Sequence, residues 1–427
     1  MSLSPIFICT GIKWTDWFFI LMLYSAFLSW EAVRRVANGE PDLRLIPSAI
    51  GGDPEKRTGI VVAKSIPAKK YGITTGEPMS MAIRKCPELV IAKPDFSLYV
   101  KNSRAFKAIC KEYTPCMESF SIDEVFVDMS GMKNIYPDPI KTAYEIKDRI
   151  RDELGFTVNV GIACNKVCAK MASDFEKPDK VHTLFPEEIP AKMWGLPVGD
   201  LFTCGKSSAA KLIAADIKTI GDLANADISF VKQLIGEKQG QHLHDFANGI
   251  DESLVTEERE EAKGYSAETT VEDDLDSLDK INRMLLAQAD VVAARMRHEE
   301  AKCRCIGVTY RNLEFATRSH QKKLHESTDV TEVIYDIAKQ LIAECWNGEP
   351  LRLIGLSLTD IDRDGFEQMS FIVDERKEKM KKLDNALDSL RGRFGDDSVK
   401  RASTMDIDKR VNRKHKAEMD NVHFTNG

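Results

Sequence analysis

Apolar and polar positions along the chain mark out a small set of elements. Residues 17 to 30, Trp-Phe-Phe-Ile-Leu-Met-Leu-Tyr-Ser-Ala-Phe-Leu-Ser-Trp, are nearly all apolar. The run is shorter than the roughly 20 residues a membrane-spanning helix needs, and no basic start or small-residue cleavage site frames it. It predicts a buried strand leading into a helix. Residues 59 to 76 read as a strand, a break at Pro67 and a basic turn. From 120 to 131, Phe-Ser-Ile-Asp-Glu-Val-Phe-Val-Asp-Met-Ser-Gly, β-branched and aromatic residues predict a strand that carries two adjacent carboxylates. The polar, highly charged stretch at 252 to 263 reads as a linker. Beyond it, helical patterns at 279 to 299 and 329 to 346 alternate with strand-like runs near 303 to 310 and 352 to 358. That order fits a small sheet backed by two helices. After Asp362 the chain becomes charged and is expected to pack loosely, although 375 to 394 sets Lys and Arg against a sparse apolar period and reads as a helix.

Length adds an expectation of about three domains for 427 residues, each able to bury a core. The ten cysteines form no paired Cys-x-x-Cys spacing, and Cys164 and Cys168 share one helical run. Reduced thiols in a cytoplasmic protein are expected, with neither a zinc site nor a disulfide framework. The net charge of −7 argues mildly against nucleic acid, but phosphate binding depends on a local basic face. Between 291 and 325, eight basic residues (Arg295, Arg297, Lys302, Arg304, Arg311, Arg318, Lys322 and Lys323) stand against Glu299, Glu300 and Glu314.

Asp123 and Glu124 are the sharpest candidates for chemistry. Two carboxylates among apolar residues are too costly to bury unpaired, so a cation should meet them. Hard oxygens with no His or Cys nearby favour magnesium or manganese over zinc. An ordinary strand points successive side chains to opposite faces, so the backbone must turn or bulge for both acids to serve one cation. The alternative is a solvent-facing acid pair at a strand end.

A second motif changes the balance. Residues 161 to 178, Gly-Ile-Ala-Cys-Asn-Lys-Val-Cys-Ala-Lys-Met-Ala-Ser-Asp-Phe-Glu-Lys-Pro, together with Ser-Ile-Asp-Glu at 121 to 124, resemble the Y-family DNA polymerases, the translesion enzymes of the DNA polymerase IV and UmuC type. Similarity runs from Ser-Ala-Phe-Leu-Ser-Trp-Glu-Ala at 25 to 32 to Val-Lys-Arg-Ala-Ser at 399 to 403. The resemblance implies an α+β right-hand polymerase. A ferredoxin-like catalytic palm would comprise 1–25 and 95–184, small fingers 26–94, and a helical thumb with a helix-hairpin-helix 185–252. A linker at 253–263 would lead to an α/β little-finger domain at 264–361 that binds DNA, followed by a charged tail at 362–427.

The same resemblance implies roles for particular residues. Asp123 and Glu124 would be catalytic, holding two magnesium ions, with manganese as a substitute. Phe27 would be the steric gate beneath the incoming sugar, and Lys69 and Lys177 would meet the triphosphate. In the hairpin the usual Gly-x-Gly is Thr203-Cys204-Gly205, and Asp216 stands where a second turn glycine is expected. Lys206 and Lys211 there, with Arg295, Arg297, Arg304 and Arg311 in the little finger, would bind DNA. Gln368, Met369 and Phe371, within Glu-Gln-Met-Ser-Phe-Ile, resemble the short peptide that docks such polymerases on the sliding clamp. The implied partners are primer-template DNA, deoxynucleoside triphosphates and that clamp. No membrane is involved, and the chain is expected to be a monomer.

One position departs from the family. Its first strand has the form His-Ile-Asp-x-Asn-Ser, whose Asp is the third metal-binding carboxylate, and alignment on Ser25 puts Met22 there and Tyr24 at the Asn. A thioether is a soft, neutral and poor ligand for magnesium. Asp16 is the nearest upstream acid, but six residues of strand would set it about 20 Å away. The expected function is template-directed, damage-tolerant DNA synthesis. Its alternative is an impaired relative that only binds damaged primer-template DNA and the clamp.

Overall fold

A computed structural model describes residues 17–55, 59–257, 261–363, 375–396, 398–405 and 407. These form two compact units. The first runs to Arg259, within the linker, except that Gly52–Ile60 and Pro78–Met81 group with the second, which continues from Glu260.

The first unit holds eight strands. They are β1 (Phe18–Leu23), β2 (Ser48–Gly51), β3 (Val61–Lys64), β4 (Val90–Ala92), β5 (Met117–Ser119), β6 (Glu124–Asp128), β7 (Val158–Ala163) and β8 (Val181–Thr183). Five make one sheet in the order β5-β6-β1-β7-β8, and β3-β2-β4 make a smaller one. The apolar run at 17 to 30 becomes β1 followed by the helix Ala26–Ala37, as its pattern predicts. β1 lies at the centre of the larger sheet, antiparallel to both β6 and β7.

Its unbroken apolar sequence follows from burial on both faces. Phe18 and Ile20 pack into a core with the helix Lys166–Asp174 and the helical segments that follow it. Phe19, Leu21 and Leu23 pack on the other side with the helices Phe96–Lys111 and Pro139–Leu154. Gly161 sets how closely the first of these layers approaches. A Cβ built there would lie 1.9 Å from the carbonyl oxygen of Ala169, so the helix Lys166–Asp174 rests directly on bare backbone.

Helical turns complete this unit between 186 and 247. The helix Lys206–Ala214 follows the turn at Thr203, and the helix Ile220–Asn225 is closed by a Thr219–Asp222 capping box.

The second unit is a four-stranded antiparallel sheet, β9 (Gly264–Leu275), β10 (Lys302–Asn312), β11 (Thr317–Thr328) and β12 (Leu351–Asp362), in the order β11-β10-β12-β9. The helices Leu278–His298 and Thr331–Cys345 share its core. Periodicity found β10, β12 and both helices. It missed β9, whose inward positions Tyr265, Thr269, Val271 and Leu275 include a polar threonine, and β11, which is exposed along nearly its whole length.

The expectation of loose packing after Asp362 is corrected from Glu375 onward. The helix Glu375–Phe394 forms as its pattern suggests and is bound to this unit by ion pairs rather than by an apolar stripe. Arg297, with 8% of its side chain exposed, reaches Asp388 at 2.7 Å and Asp384 at 3.4 Å. Asp384 is 3% exposed and accepts from the Thr331 amide at 2.8 Å. Asp290 joins Arg391 at 2.9 Å and Arg401 at 3.0 Å. Charges held this deep are legible only in three dimensions.

Two substitutions test these contacts. Gly161→Ala is expected to lower the stability of the first unit by about 1–3 kcal/mol, because backbone cannot yield as a side chain can. Asp384→Ala should lower that of the second by about 3 kcal/mol, since it strips a partner from buried Arg297. Denaturant unfolding measures both.

Candidate active site

The two acids sit where a hairpin meets the sheet's central strand. Between β5 and β6 the chain bends at Ser121 to Asp123, and the Phe120 and Ser121 amides both donate to the Glu124 carbonyl. Asp123 therefore belongs to the turn and Glu124 to the first position of β6, which supplies the bend the chemistry required. Ser121 Oγ donates to Asp123 Oδ1 at 2.7 Å, and the Leu23 amide donates to the Asp123 carbonyl at 3.0 Å.

In the sheet Met22 is directly opposite Glu124 on one side and Asn159 on the other. Alternation sends all three toward the layer that contains the helix Lys166–Asp174. Asn165 caps that helix by accepting from the Cys168 amide at 2.9 Å. Lys170, 9% exposed at its side chain, projects from it onto this spot. Its ammonium donates to Glu124 Oε1 at 2.7 Å and lies 3.0 Å from Met22 Sδ. Lys177 pairs with Asp174 and stands 3.7 Å from the same sulfur. Asn159 is fully buried and fixes the loop that carries Lys177, donating to the Ser173 carbonyl at 3.1 Å and the Glu176 carbonyl at 2.7 Å.

An ammonium thus meets the Glu124 carboxylate. Lys170 lay within the second motif without a role, and along the sequence nothing separates it from Lys166 on the same helix. Asp123 and Glu124 carry oxygens suited to magnesium or manganese. The Met22 thioether does not fit a hard cation. Among the described residues no three His, Cys, Asp or Glu side chains gather as a metal site, and Asp16 lies outside them.

Other candidates fall around this centre. Phe27 is half-buried and stacks on Tyr99 with centroids 4.6 Å apart, with Phe96 edge-on at 6.1 Å. Lys69 is exposed at the end of the short helix Ile66–Lys70. Its neighbour Lys64, which sequence reasoning passed over, donates to Thr75 Oγ1 at 3.3 Å. Burial, reinforced by the like charge of Lys69, holds the Lys64 ammonium below the ordinary lysine range.

In the hairpin, Thr203 and Asp216 both adopt left-handed backbone, with φ of 67° and 65°. Asp216 thus takes the conformation a glycine would, and its carboxylate pairs with Lys218 at 2.6 Å. Lys206 and Lys211 are exposed.

The basic stretch of the second unit divides. Arg297 is corrected as a DNA contact, because its nearly buried guanidinium is already paired with Asp384 and Asp388. Arg295 donates to the Ser266 carbonyl at 3.0 Å, Arg304 to Asp362 at 2.6 Å and Arg311 to Thr317 Oγ1 at 2.8 Å. β11, with Arg318, Lys322 and Lys323, is exposed along nearly its whole length. Gln368, Met369 and Phe371 lie outside the described residues. The described cysteines are all free, and no helix among the described residues is long and apolar enough to cross a membrane.

A sheet with paired acids at one of its turns, a helical hairpin segment and a four-stranded unit are the parts expected of a right-hand polymerase of the translesion class. Sequence profiles agree: the impB/mucB/samB family matches 23–174, its C-terminal domain 262–371, and the DNA polymerase-iota thumb domain 199–251. DNA polymerase IV of Clostridium acetobutylicum is 42% identical over 88% of this chain and 95% of its own length. DNA polymerase IV of Acetivibrio thermocellus is 37% identical over 84% and 92%. Among solved structures, a Y-family DNA polymerase chimera superimposes with a TM-score of 0.70 at 20% identity, covering 81% of this chain and 99% of its own. The chain belongs to the Y family of DNA polymerases, alongside relatives of the DNA polymerase IV kind.

The family profile begins one residue after Met22. Met22→Asp should place a third carboxylate opposite Glu124 and tighten manganese binding at least about tenfold, since affinity follows the number of charged oxygen ligands. Titration followed by the Mn2+ paramagnetic resonance signal measures it.

Proposed function

We propose that this chain is a translesion DNA polymerase, extending a primer 3′ end with deoxynucleotides on a template and continuing past damaged bases. The observation that carries the reading is the turn at Ser121 to Asp123, which delivers two adjacent carboxylates beside the sheet's central strand. Asp123 and Glu124 would hold divalent cations, magnesium by preference. Such ions, when bound, supply activation of the primer hydroxyl and neutralise charge on the triphosphate.

The remaining roles belong to side chains. Lys69 and Lys177, with Lys64 beside Lys69, present ammonium groups suited to phosphate oxygens as mobile point charges. Phe27, backed by Tyr99, forms a flat wall against the 2′ position of the sugar. Lys206 and Lys211 would grip DNA phosphates, with Arg295, Arg304 and Arg311 doing so in the second unit; such contacts position the duplex without reading sequence. Docking on a sliding clamp through Gln368, Met369 and Phe371 is part of the proposal on sequence grounds alone.

A second reading is favoured by one observation. Lys170 already satisfies Glu124 and touches the thioether that replaces the third carboxylate. On that reading the chain as written only binds damaged primer-template DNA and the clamp.

Primer extension with magnesium and all four deoxynucleotides separates the two, using this chain, Asp123→Ala, and Met22→Asp with Tyr24→Asn. Extension by the chain as written, lost in Asp123→Ala, supports the first reading. Extension only by the double substitution supports the second. No extension by any of them sinks the polymerase proposal.

A further inference from the structure

Three successive carbonyls of the turn that bears Asp123 are each captured from outside the turn. Lys107 Nζ donates to the Ser121 carbonyl at 2.6 Å, Ser103 Oγ donates to the Ile122 carbonyl, and the Leu23 amide donates to the Asp123 carbonyl at 3.0 Å. The first two donors lie one turn apart on the helix Phe96–Lys111, and the third lies on β1. Both side chains are buried, Ser103 completely and Lys107 to 7% exposure.

We propose that Lys107 and Ser103 are positioning residues that set where the Asp123 carboxylate stands relative to Glu124 and β1. The inference rests on the polymerase reading above. A hairpin turn of this size normally needs no buried ammonium to hold it, and burying one is costly. That cost is visible here, since burial pushes the Lys107 ammonium down to about 8, only partly opposed by the charge of Asp123.

The arrangement makes physical sense for a carboxylate that must stay in place when a cation or a triphosphate pulls on it. Backbone held at three consecutive oxygens cannot rotate one peptide without breaking a bond at its neighbour. Ser121 Oγ then carries the restraint to the side chain through its bond to Asp123 Oδ1. The helix Phe96–Lys111 also supplies Tyr99, on which Phe27 stacks, so one rigid element supports both the acid and the aromatic wall.

The test compares Lys107→Met, Lys107→Arg and Ser103→Ala in the full chain. Amide hydrogen exchange at Leu23 reads the turn without reference to activity. Lys107→Met is expected to speed Leu23 exchange at least about tenfold while amides of β7 keep their protection, with no fall in melting temperature, because a buried charge has been removed. Lys107→Arg, which keeps a donor, should return exchange toward the parent value. Ser103→Ala should act in the same direction as Lys107→Met and covers the case in which that variant fails to fold. In the same proteins and in the Met22→Asp, Tyr24→Asn background, kcat should drop about 10- to 100-fold with KM for primer-template unchanged. Unchanged Leu23 exchange, or exchange accelerated equally across the sheet, would overturn the proposal. Absence of extension in every background would defeat the polymerase reading instead, leaving the Leu23 result to decide this one.

Discussion

The first unit depends on a strand that has no face toward water. β1 is flanked by β6 and β7 and covered above and below, so each of its side chains must satisfy one of two cores. Any polar group brought to its edge must then find a partner inside the protein. The ammonium of Lys170 against Glu124, the amide of Asn159 against the Ser173 and Glu176 carbonyls, and the ammonium of Lys107 against Ser121 are three answers to that constraint. The candidate site is the place where the sheet admits charge.

Seen this way, the spacing of the two acid-bearing and lysine-bearing motifs is geometric. Glu124 comes from a strand beside β1, while Lys170 and Lys177 come from the helix and loop after the strand on its other side. Gly161 allows that helix to lie against the sheet, and Asn165 starts it. The cores on either side hold the approach, since a displaced helix would expose apolar area worth about 25 cal/mol per Å².

Much of this was legible along the chain. The apolar run at 17 to 30 announced a buried strand and helix, the acid pair among β-branched residues announced a turn at a strand end, and the two helices of the second unit followed from their period. What escaped had a physical reason in each case. β11 is so exposed that no apolar alternation marks it, and β9 breaks its alternation with a buried threonine, Thr269. Lys107 and Lys170 look like ordinary helix-surface lysines, because their burial is created by elements distant in sequence. Arg297 resembled its neighbours in a basic stretch, and its commitment to Asp384 and Asp388 depends on a helix about ninety residues later. Charge counted along a sequence cannot tell a surface cation from one consumed in packing.

The central strand carries a further consequence. Phe18 to Met22 lie before the residues that match the family profile, yet they pair in register, and Phe18 to Leu21 fill both cores, because backbone hydrogen bonds and apolar volume are all the sheet asks of them. Folding and chemistry are separable here. Proteolytic surveillance in a cell recognises loosened packing, and it has nothing to recognise in a well-packed methionine. A chain with methionine at this place would therefore persist at ordinary abundance, and how long it lasts would say nothing about what it can catalyse.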